Sequence, residues 1–172
     1  QADHDELTGL YNKRSLNRYL EDVFEDCLLN EKELGILFLD IDHFKQLNDR
    51  YGHGRGDEGI CAVADTLKKC FPEDYVARYG GDEFLVVMPE RDLVYAMEHA
   101  KLLCADIRKC KIPNEDSEVE PWLTISVGGV CAIPKEPNRV WDFLSAADKT
   151  LYDQKNEQKG KVRFYVGEGQ YL

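Results

Sequence analysis

The chain has no long apolar run and no excess of basic residues. No stretch of its 172 residues approaches the roughly 20 apolar residues of a membrane helix, and no secretory signal opens the sequence. The formal net charge is −11, whereas a broad contact with nucleic acid or an anionic membrane needs a basic face. We therefore expect no nucleic-acid partner, and membrane contact only through a region absent from this chain.

Cysteine pairing patterns are also missing. The six cysteines include no C-x-x-C pair, and several lie inside apolar runs. This usage predicts small core residues in a reducing compartment, which favours a cytoplasmic location over a disulfide framework. The first residue is Gln1 rather than Met, so we expect an excised piece of a longer protein with an N-terminal regulatory region, which leaves room for a membrane anchor there. The cysteines are Cys27, Cys61, Cys70, Cys104, Cys110 and Cys131.

Length and patterning predict one domain over residues 1–172. An apolar content of 43% beside 32% charged residues is typical of a globular chain. Apolar periodicity predicts the order helix, strand, two helices, hairpin, helix, strand, helix, strand. That order indicates an α+β fold, with helices packed on a central, mainly antiparallel sheet. The polar segment from Pro113 to Pro121 is expected to be a loop or a small hairpin.

Two carboxylates follow a short apolar strand in "ILFLDIDHF". Side chains alternate along a strand, so Asp40 and Asp42 should share one side while Ile41 faces the other. A carboxylate directly after such a strand is partly desolvated and needs a partner. Taken alone, the pair is explained as well by a strand end that simply turns polar.

The stretch "ARYGGDEFLVV" predicts a hairpin whose turn is followed by Asp82 and Glu83. If it lies beside the "ILFLD" strand, these residues come near Asp40. Clustered carboxylates repel one another, but they suit Mg²⁺ or Mn²⁺, which prefer oxygen ligands and keep substrate phosphates in their shell. Gly80 and Gly81 either provide a turn with positive φ or let a phosphate or ribose approach the backbone.

Other motifs are weaker. "YGHGRGDEG" contains a formal G-x-G-x-x-G, but it follows a short helix instead of a strand, which disfavours a dinucleotide site. A loop between two helices, with Asp57 capping the second, is the better interpretation. Lys155 and Lys159 share a face if the last helix runs that far, although cations at a solvated helix end are common. The sequence contains no P-loop, no G-x-S-x-G and no zinc-type spacing.

Six segments together resemble the GGDEF family, the diguanylate cyclases. They are "DELTGLYNKR", "FLDIDHFKQLND", "YGHGRGDE", "RYGGDEF", "TISVGGV" and "ADKTLY", in the family's order and near its spacing. The resemblance implies a palm-like fold related to nucleotide cyclases and polymerases, with a ferredoxin-like βαββαβ core. It also implies condensation of two GTP into cyclic di-GMP, with release of two pyrophosphates, by two copies of the domain facing each other.

The same resemblance implies roles for single residues. Asp40, the Ile41 carbonyl and Asp82 would hold the metal ions, with Glu83 beside them. Asp82 would also help to deprotonate the attacking 3′-hydroxyl, and Lys45 would stabilise charge on the phosphates. The implied substrate contacts are Phe44, Asn48 and Asp57 (the last two at the guanine edge), His53, Gly80, Gly81, and the phosphate-binding Lys155 and Lys159.

Two departures from the family pattern stand out. In "FPED" Phe71 replaces the arginine of the family's R-x-x-D product-inhibition motif, while Asp74 remains, so we expect that site to be lost. In "KNEQKGKVRF" the glycine comes two places late, which leaves either Lys159 or Lys161 as the second phosphate contact.

The alternatives to a cyclase are a non-catalytic GTP-binding module and a cyclase acting within one nucleotide. The first would predict loss of the residues that carry the chemistry. All four are present, namely Asp40, Lys45, Asp82 and Glu83.

Overall fold

A computed structural model describes residues 2–167 and 170–172, and in them six strands form one sheet with five helices around it. The strands are β1 (Leu34–Ile41), β2 (Tyr75–Arg78), β3 (Glu83–Pro89), β4 (Ile125–Ala132), β5 (Val162–Gly167) and β6 (Gln170–Tyr171). The helices are α1 (Lys13–Leu29), α2 (Phe44–Tyr51), α3 (His53–Cys70), α4 (Leu93–Lys109) and α5 (Val140–Glu157).

The sheet has the order β2-β3-β1-β4-β5-β6. β1 lies at its centre and pairs antiparallel with both β3 and β4, whereas β4 and β5 are parallel. The elements from β1 to β4 form a βαββαβ unit, because α2 and α3 connect β1 to β2 and α4 connects β3 to β4. The predicted α+β fold with a mainly antiparallel sheet is therefore confirmed.

Both faces of β1 are buried, which explains its almost uninterrupted apolar sequence. Leu37, Leu39 and Ile41 belong to the core under α3 and α4. Ile36 and Phe38 belong to the core under α1 and α5. By the same alternation, a side chain at position 40 faces α5, and this directs the first carboxylate after the strand towards the end of that helix.

Polar side chains set where two of the helices begin. The Asn12 carboxamide accepts from the Ser15 N–H at 2.9 Å at the start of α1. The Asp92 carboxylate accepts from the Tyr95 N–H at 2.9 Å at the start of α4. Each bond satisfies one of the N–H groups that the first turn of a helix leaves unpaired.

The predicted loop between α2 and α3 is wrong. Only Gly52, with φ of +87°, separates the two helices, so the glycine-rich stretch lies inside α3 and Asp57 is no helix cap. β4 begins at Ile125, inside the "TISVGGV" segment. The segment from Pro113 to Pro121 is a loop, closed by a hydrogen bond from the Asn114 N–H to the Pro121 carbonyl at 2.9 Å.

The cysteines are free, as expected, but they are not all core residues. Four are buried, Cys61 is partly buried and Cys110 is exposed. Within residues 2–167 and 170–172, none of the helices is both long and apolar enough to cross a membrane.

Candidate functional site

Asp40 is a buried carboxylate at the end of β1 with one oxygen left over. Its side chain is close to Lys155, whose Nζ lies 2.6 Å from Oδ2, while Oδ1 is buried without a hydrogen-bond partner among the described residues. Burial raises the pKa of Asp40 to about 6, and the Lys155 ammonium offsets part of that increase. An unpartnered buried oxygen is costly, so this end of β1 is suited to a further cation.

Asp42 shares that side of the sheet, as predicted, but its carboxylate is already engaged. Ser126, which lies opposite Asp40 in the β1–β4 register, donates its hydroxyl to Asp42 Oδ1 at 2.5 Å. Thr124 donates its hydroxyl to Oδ2 at 2.7 Å. Both oxygens therefore have partners within the protein, so Asp42 does not add a free ligand to the site.

The two acidic residues of the hairpin point into different cavities. Asp82 lines a cavity of about 610 Å³ beside α2. Glu83 lines a neighbouring cavity of about 390 Å³, together with Tyr79 and the α5 residues Trp141 and Asp148. This is the alternation expected of consecutive residues at the start of a strand. Burial raises the pKa of both carboxyls, and the charge of Asp82 adds to the effect on Glu83.

The predicted carboxylates do act on one another, because the charges of Asp82 and Asp42 help to raise the pKa of Asp40, and the charge of Asp82 helps to raise that of Glu83. In the described part of the chain, no three His, Cys, Asp or Glu side chains come together as a metal site. Asp82 and Ile41 both line the 610 Å³ cavity, and Asp40 lies beside Ile41 at the end of β1. The Ile41 N–H donates to the Asp82 carbonyl at 3.3 Å, which holds the two backbones side by side. With the unpartnered Asp40 Oδ1, this set fits Mg²⁺ or Mn²⁺.

The first turn of α2 forms one wall of the 610 Å³ cavity, through His43, Phe44, Lys45 and Gln46. His43 takes the N-cap position with φ of +51°, and no side chain caps this helix. The unpaired N–H groups of a helix N-terminus attract anions. Lys45 extends into solvent, where its Nζ lies 2.7 Å from Asp49.

Asn48 and His53 line the same cavity, whereas Asp57 does not. Asn48 Oδ1 is buried, and in the part of the chain that the structure describes it has no hydrogen-bond partner. Gly56 makes room for it, because a Cβ there would overlap the Asn48 carboxamide. Asp57 is exposed, four residues after His53 on α3, and therefore lies on the same helix face as His53.

Lys155 and Lys159 complete the opposite wall. Burial disfavours the charge of Lys155, but the hydrogen bond to Asp40 and the nearby carboxylates raise its pKa above the ordinary value. Of the two candidates for the second position, Lys159 lines the cavity, while Lys161 is exposed just before β5. α5 extends to Glu157, and Gly160 follows it after two residues.

Comparison with known proteins identifies the family of this chain. The family model described as "Diguanylate cyclase, GGDEF domain" matches residues 2–161. The chain belongs to the GGDEF family. Diguanylate cyclase DgcM of Escherichia coli K12 is 33% identical over 162 residues, which is 94% of this chain and 38% of that protein. Diguanylate cyclase VdcA of Vibrio cholerae is 34% identical over 160 residues, covering 92% of this chain and 45% of that protein. The chain thus spans less than half of these relatives.

Solved structures match the fold closely. The GGDEF domain of DgcB from Caulobacter crescentus, solved with c-di-GMP, superposes with a TM-score of 0.85 at 26% identity, covering 94% of this chain and 95% of that one. A GGDEF-only form of TpbB from Pseudomonas aeruginosa superposes with a TM-score of 0.80 at 29% identity, covering 94% and 93% of the two chains.

Sequence reasoning missed a link between the start of the GGDEF domain and its hairpin. Arg78 donates to the carbonyls of Gly80 at 3.1 Å and Gly81 at 2.8 Å, and to the Asp5 carboxylate at 3.2 Å. Neither glycine has positive φ, so the positive-φ explanation is wrong. A Cβ on Gly81 would meet open space, whereas one on Gly80 would meet the Glu83 side chain. Neither glycine lines the 610 Å³ cavity. The sequence did contain a signal for this link. Asp5 in "DEL" and Arg78 in "RYGG" are an acid and a base to which no partner had been assigned.

Asp74, the remaining acid of the "FPED" stretch, is held inside the GGDEF domain. Its side chain is only 2% exposed and lies 3.3 Å from Arg91 Nε, and it accepts from the Tyr95 hydroxyl at 2.5 Å. Burial and the bond to Asp74 raise the pKa of Tyr95 to about 12. Phe71 is 1% exposed and belongs to the core. Asp74 and Phe71 are thus both held by contacts inside the domain.

Proposed function

We propose that this chain is the catalytic domain of a diguanylate cyclase that condenses two GTP into cyclic di-GMP and releases two pyrophosphates. The observation that carries the proposal is one cavity bordered by Asp82, three lysines and an uncapped helix N-terminus, next to the unpartnered oxygen of Asp40. Family membership supports the same activity. We also propose that the domain acts in the cytoplasm.

The triphosphate would lie against the start of α2, with Lys155 and Lys159 on the other wall and Lys45 free to turn towards it. Local cations are needed because the chain as a whole has a charge of −11 and repels a polyanion. Phosphoryl transfer depends on positioning and charge neutralisation more than on covalent help from the protein.

Asp40, Asp82 and the Ile41 carbonyl would hold Mg²⁺ or Mn²⁺. Such an ion neutralises phosphate charge and orients the reacting oxygens. The Lys155 ammonium already lies on Asp40 Oδ2, so Oδ1 is the oxygen available to a metal. Glu83 would act from the side, through its charge, because its carboxylate lines the other cavity.

In the reaction, Asp82 would help to remove the proton of the 3′-hydroxyl of one GTP. The 3′-oxygen then forms a bond to the α-phosphorus of the other GTP, and the bond to pyrophosphate breaks. Lys45 would stabilise the charge that develops on the phosphates. Each domain binds one GTP and the product contains two, so a second copy must face the first across a two-fold axis.

Incubation with GTP and Mg²⁺ at high protein concentration, followed by chromatography, tests the proposal. Cyclic di-GMP is the expected product. Cyclic GMP would support a cyclase acting within one nucleotide. Binding of GTP without any product, even after artificial dimerisation, would favour a non-catalytic signalling module.

We expect GTP to be used in strong preference to ATP. A carboxylate at position 57 can accept from guanine N1–H and the 2-amino group, whereas adenine offers no such pair of donors. Asp57→Asn should therefore lower kcat/KM for GTP by about 10-fold, since a paired base contact is worth roughly 1–3 kcal/mol. Steady-state kinetics with both nucleotides measure the preference. Glu58→Gln, a neighbouring exposed acid on α3, is the matched control. Comparable turnover of ATP and GTP would disprove the assignment.

We also propose that product inhibition through the "FPED" site is weak or absent. A phenyl ring at position 71 cannot make the bidentate contact of arginine, and the Asp74 carboxylate already has Arg91 and Tyr95 as partners. Added cyclic di-GMP should leave the initial rate nearly unchanged, and calorimetry should detect little binding. Tight product binding that is lost in Asp74→Ala would contradict this expectation.

A further inference from the structure

The second carboxylate of the "DID" segment, Asp42, has no part in the reaction proposed above, although it is almost completely buried, with 1% exposure. A buried carboxylate is expensive unless its oxygens are satisfied. Asp42 is satisfied by hydroxyls from β4 and its entry, at Ser126 and Thr124. These two hydroxyls differ in the further group that they contact.

Ser126 forms a bridge from Asp42 to the segment after α5. Its hydroxyl donates to Asp42 Oδ1 at 2.5 Å, and its oxygen accepts from the Gly160 N–H at 2.9 Å. A serine hydroxyl has one proton. Because the carboxylate takes that proton, a lone pair remains for the Gly160 N–H, and the acceptor direction is set by Asp42.

Gly160 is one of the points at which the fold holds the turn between α5 and β5, beside the Lys161 carbonyl, which accepts from the Val127 N–H at 3.0 Å. Its carbonyl accepts from Arg108 Nη2 at 2.9 Å. Its φ is +77°, and a Cβ there would lie 2.6 Å from Arg108 Nη2 and 2.8 Å from Val119 Cγ1. The turn is thus anchored on both sides of this residue, directly after Lys159, which lines the 610 Å³ cavity.

We propose that Asp42 is a positioning residue for the phosphate-binding wall. Through Ser126 and the Gly160 N–H it fixes the turn Gln158–Lys161, and this keeps Lys159 at the cavity. The inference rests on the proposed function only in assuming that the cavity takes the triphosphate of GTP. Asp42 itself touches neither substrate nor metal in this scheme.

Two substitutions of similar cost separate the positioning role from simple stabilisation. Ser126→Ala and Thr124→Val each remove one hydroxyl donor to Asp42, but only Ser126→Ala removes the acceptor of the Gly160 N–H. A net hydrogen bond is worth about 1 kcal/mol, so we expect Ser126→Ala to raise the Kd for Mg-GTP and KM by about 5-fold. Thr124→Val should stay within about 2-fold, and kcat should change little in either variant. Equal Kd values in the two variants would overturn the proposal.

A double-mutant cycle tests the route of the effect. If Ser126 acts through Lys159, then Ser126→Ala should not weaken GTP binding further in a Lys159→Ala background. A full additional loss in that background would contradict the proposed route.

Hydrogen exchange provides a readout that needs no nucleotide. The backbone amides of residues 156–163 should exchange faster in Ser126→Ala than in Thr124→Val, because only the former frees the Gly160 N–H. Indistinguishable exchange in this segment would refute the bridge. A chain that makes no cyclic di-GMP would refute the proposed function, while the exchange contrast still decides the positioning role.

Discussion

Asp82→Ala should abolish synthesis of cyclic di-GMP while leaving the domain folded. Asp82 combines two proposed tasks, as a metal ligand and as the group that helps to deprotonate the 3′-hydroxyl. Loss of a group that stabilises the transition state costs about 100–1000-fold, and the loss of two tasks together should reach at least about 1000-fold in kcat/KM. Product formation is measured by chromatography with GTP and Mg²⁺.

The fold should survive because the Asp82 carboxylate stabilises little. Burial raises its pKa, which means that the folded environment disfavours its charge. Removal of this charge should leave the melting temperature the same or slightly higher. Asp148→Asn, an exposed acid that lines the neighbouring cavity, is the matched control and should retain activity. Retention of more than about a tenth of the wild-type rate in Asp82→Ala would contradict the assignment, given the expected 1000-fold loss.

Gly128→Ala should destabilise the domain by about 3 kcal/mol, because overpacking against a rigid backbone cannot relax by side-chain rotation. Gly128 lies in the middle of β4, under α5. A Cβ there would lie 2.5 Å from the Leu151 Cα and 2.7 Å from the Ala147 carbonyl oxygen. The helix would have to move away from the sheet, and Lys155 would move with it.

Chemical denaturation measures this loss, and Gly54→Ala is the matched control. Gly54 is exposed near the start of α3, and a Cβ there would meet nothing within 4 Å. Alanine in a helix is favoured over glycine by about 0.5–1 kcal/mol, so this control should be slightly stabilised. An equal response of the two variants would show that α5 does not pack on β4 as closely as described.

Comparison of Gly54 with Gly128 shows how much the residue type alone reveals about a position. Both lie in segments that the sequence identified, "TISVGGV" and "YGHGRGDE". At position 54 the glycine has free space around it, whereas at position 128 it allows a helix backbone to approach the sheet. The residue type is the same at both positions, and only the packing of a neighbouring element distinguishes the two glycines.

The sequence alone was enough for the order of the elements from α1 to β5. A short, nearly uninterrupted apolar run is typical of a strand that is buried on both faces, and β1 is buried along its whole length. The hairpin was equally predictable, because its glycines and acids interrupt two apolar runs. Local periodicity determines such features, since each depends on residues a few positions apart.

The tertiary structure decided which of the candidate carboxylates are free. Asp42 and Ser126 are 84 positions apart, and their hydrogen bond withdraws Asp42 from the site. Glu83 is one residue from Asp82, yet its side chain enters another cavity. Such outcomes depend on which strands become neighbours and on which side chains then meet. Those contacts form only when distant segments pack, so no local pattern in the chain could specify them.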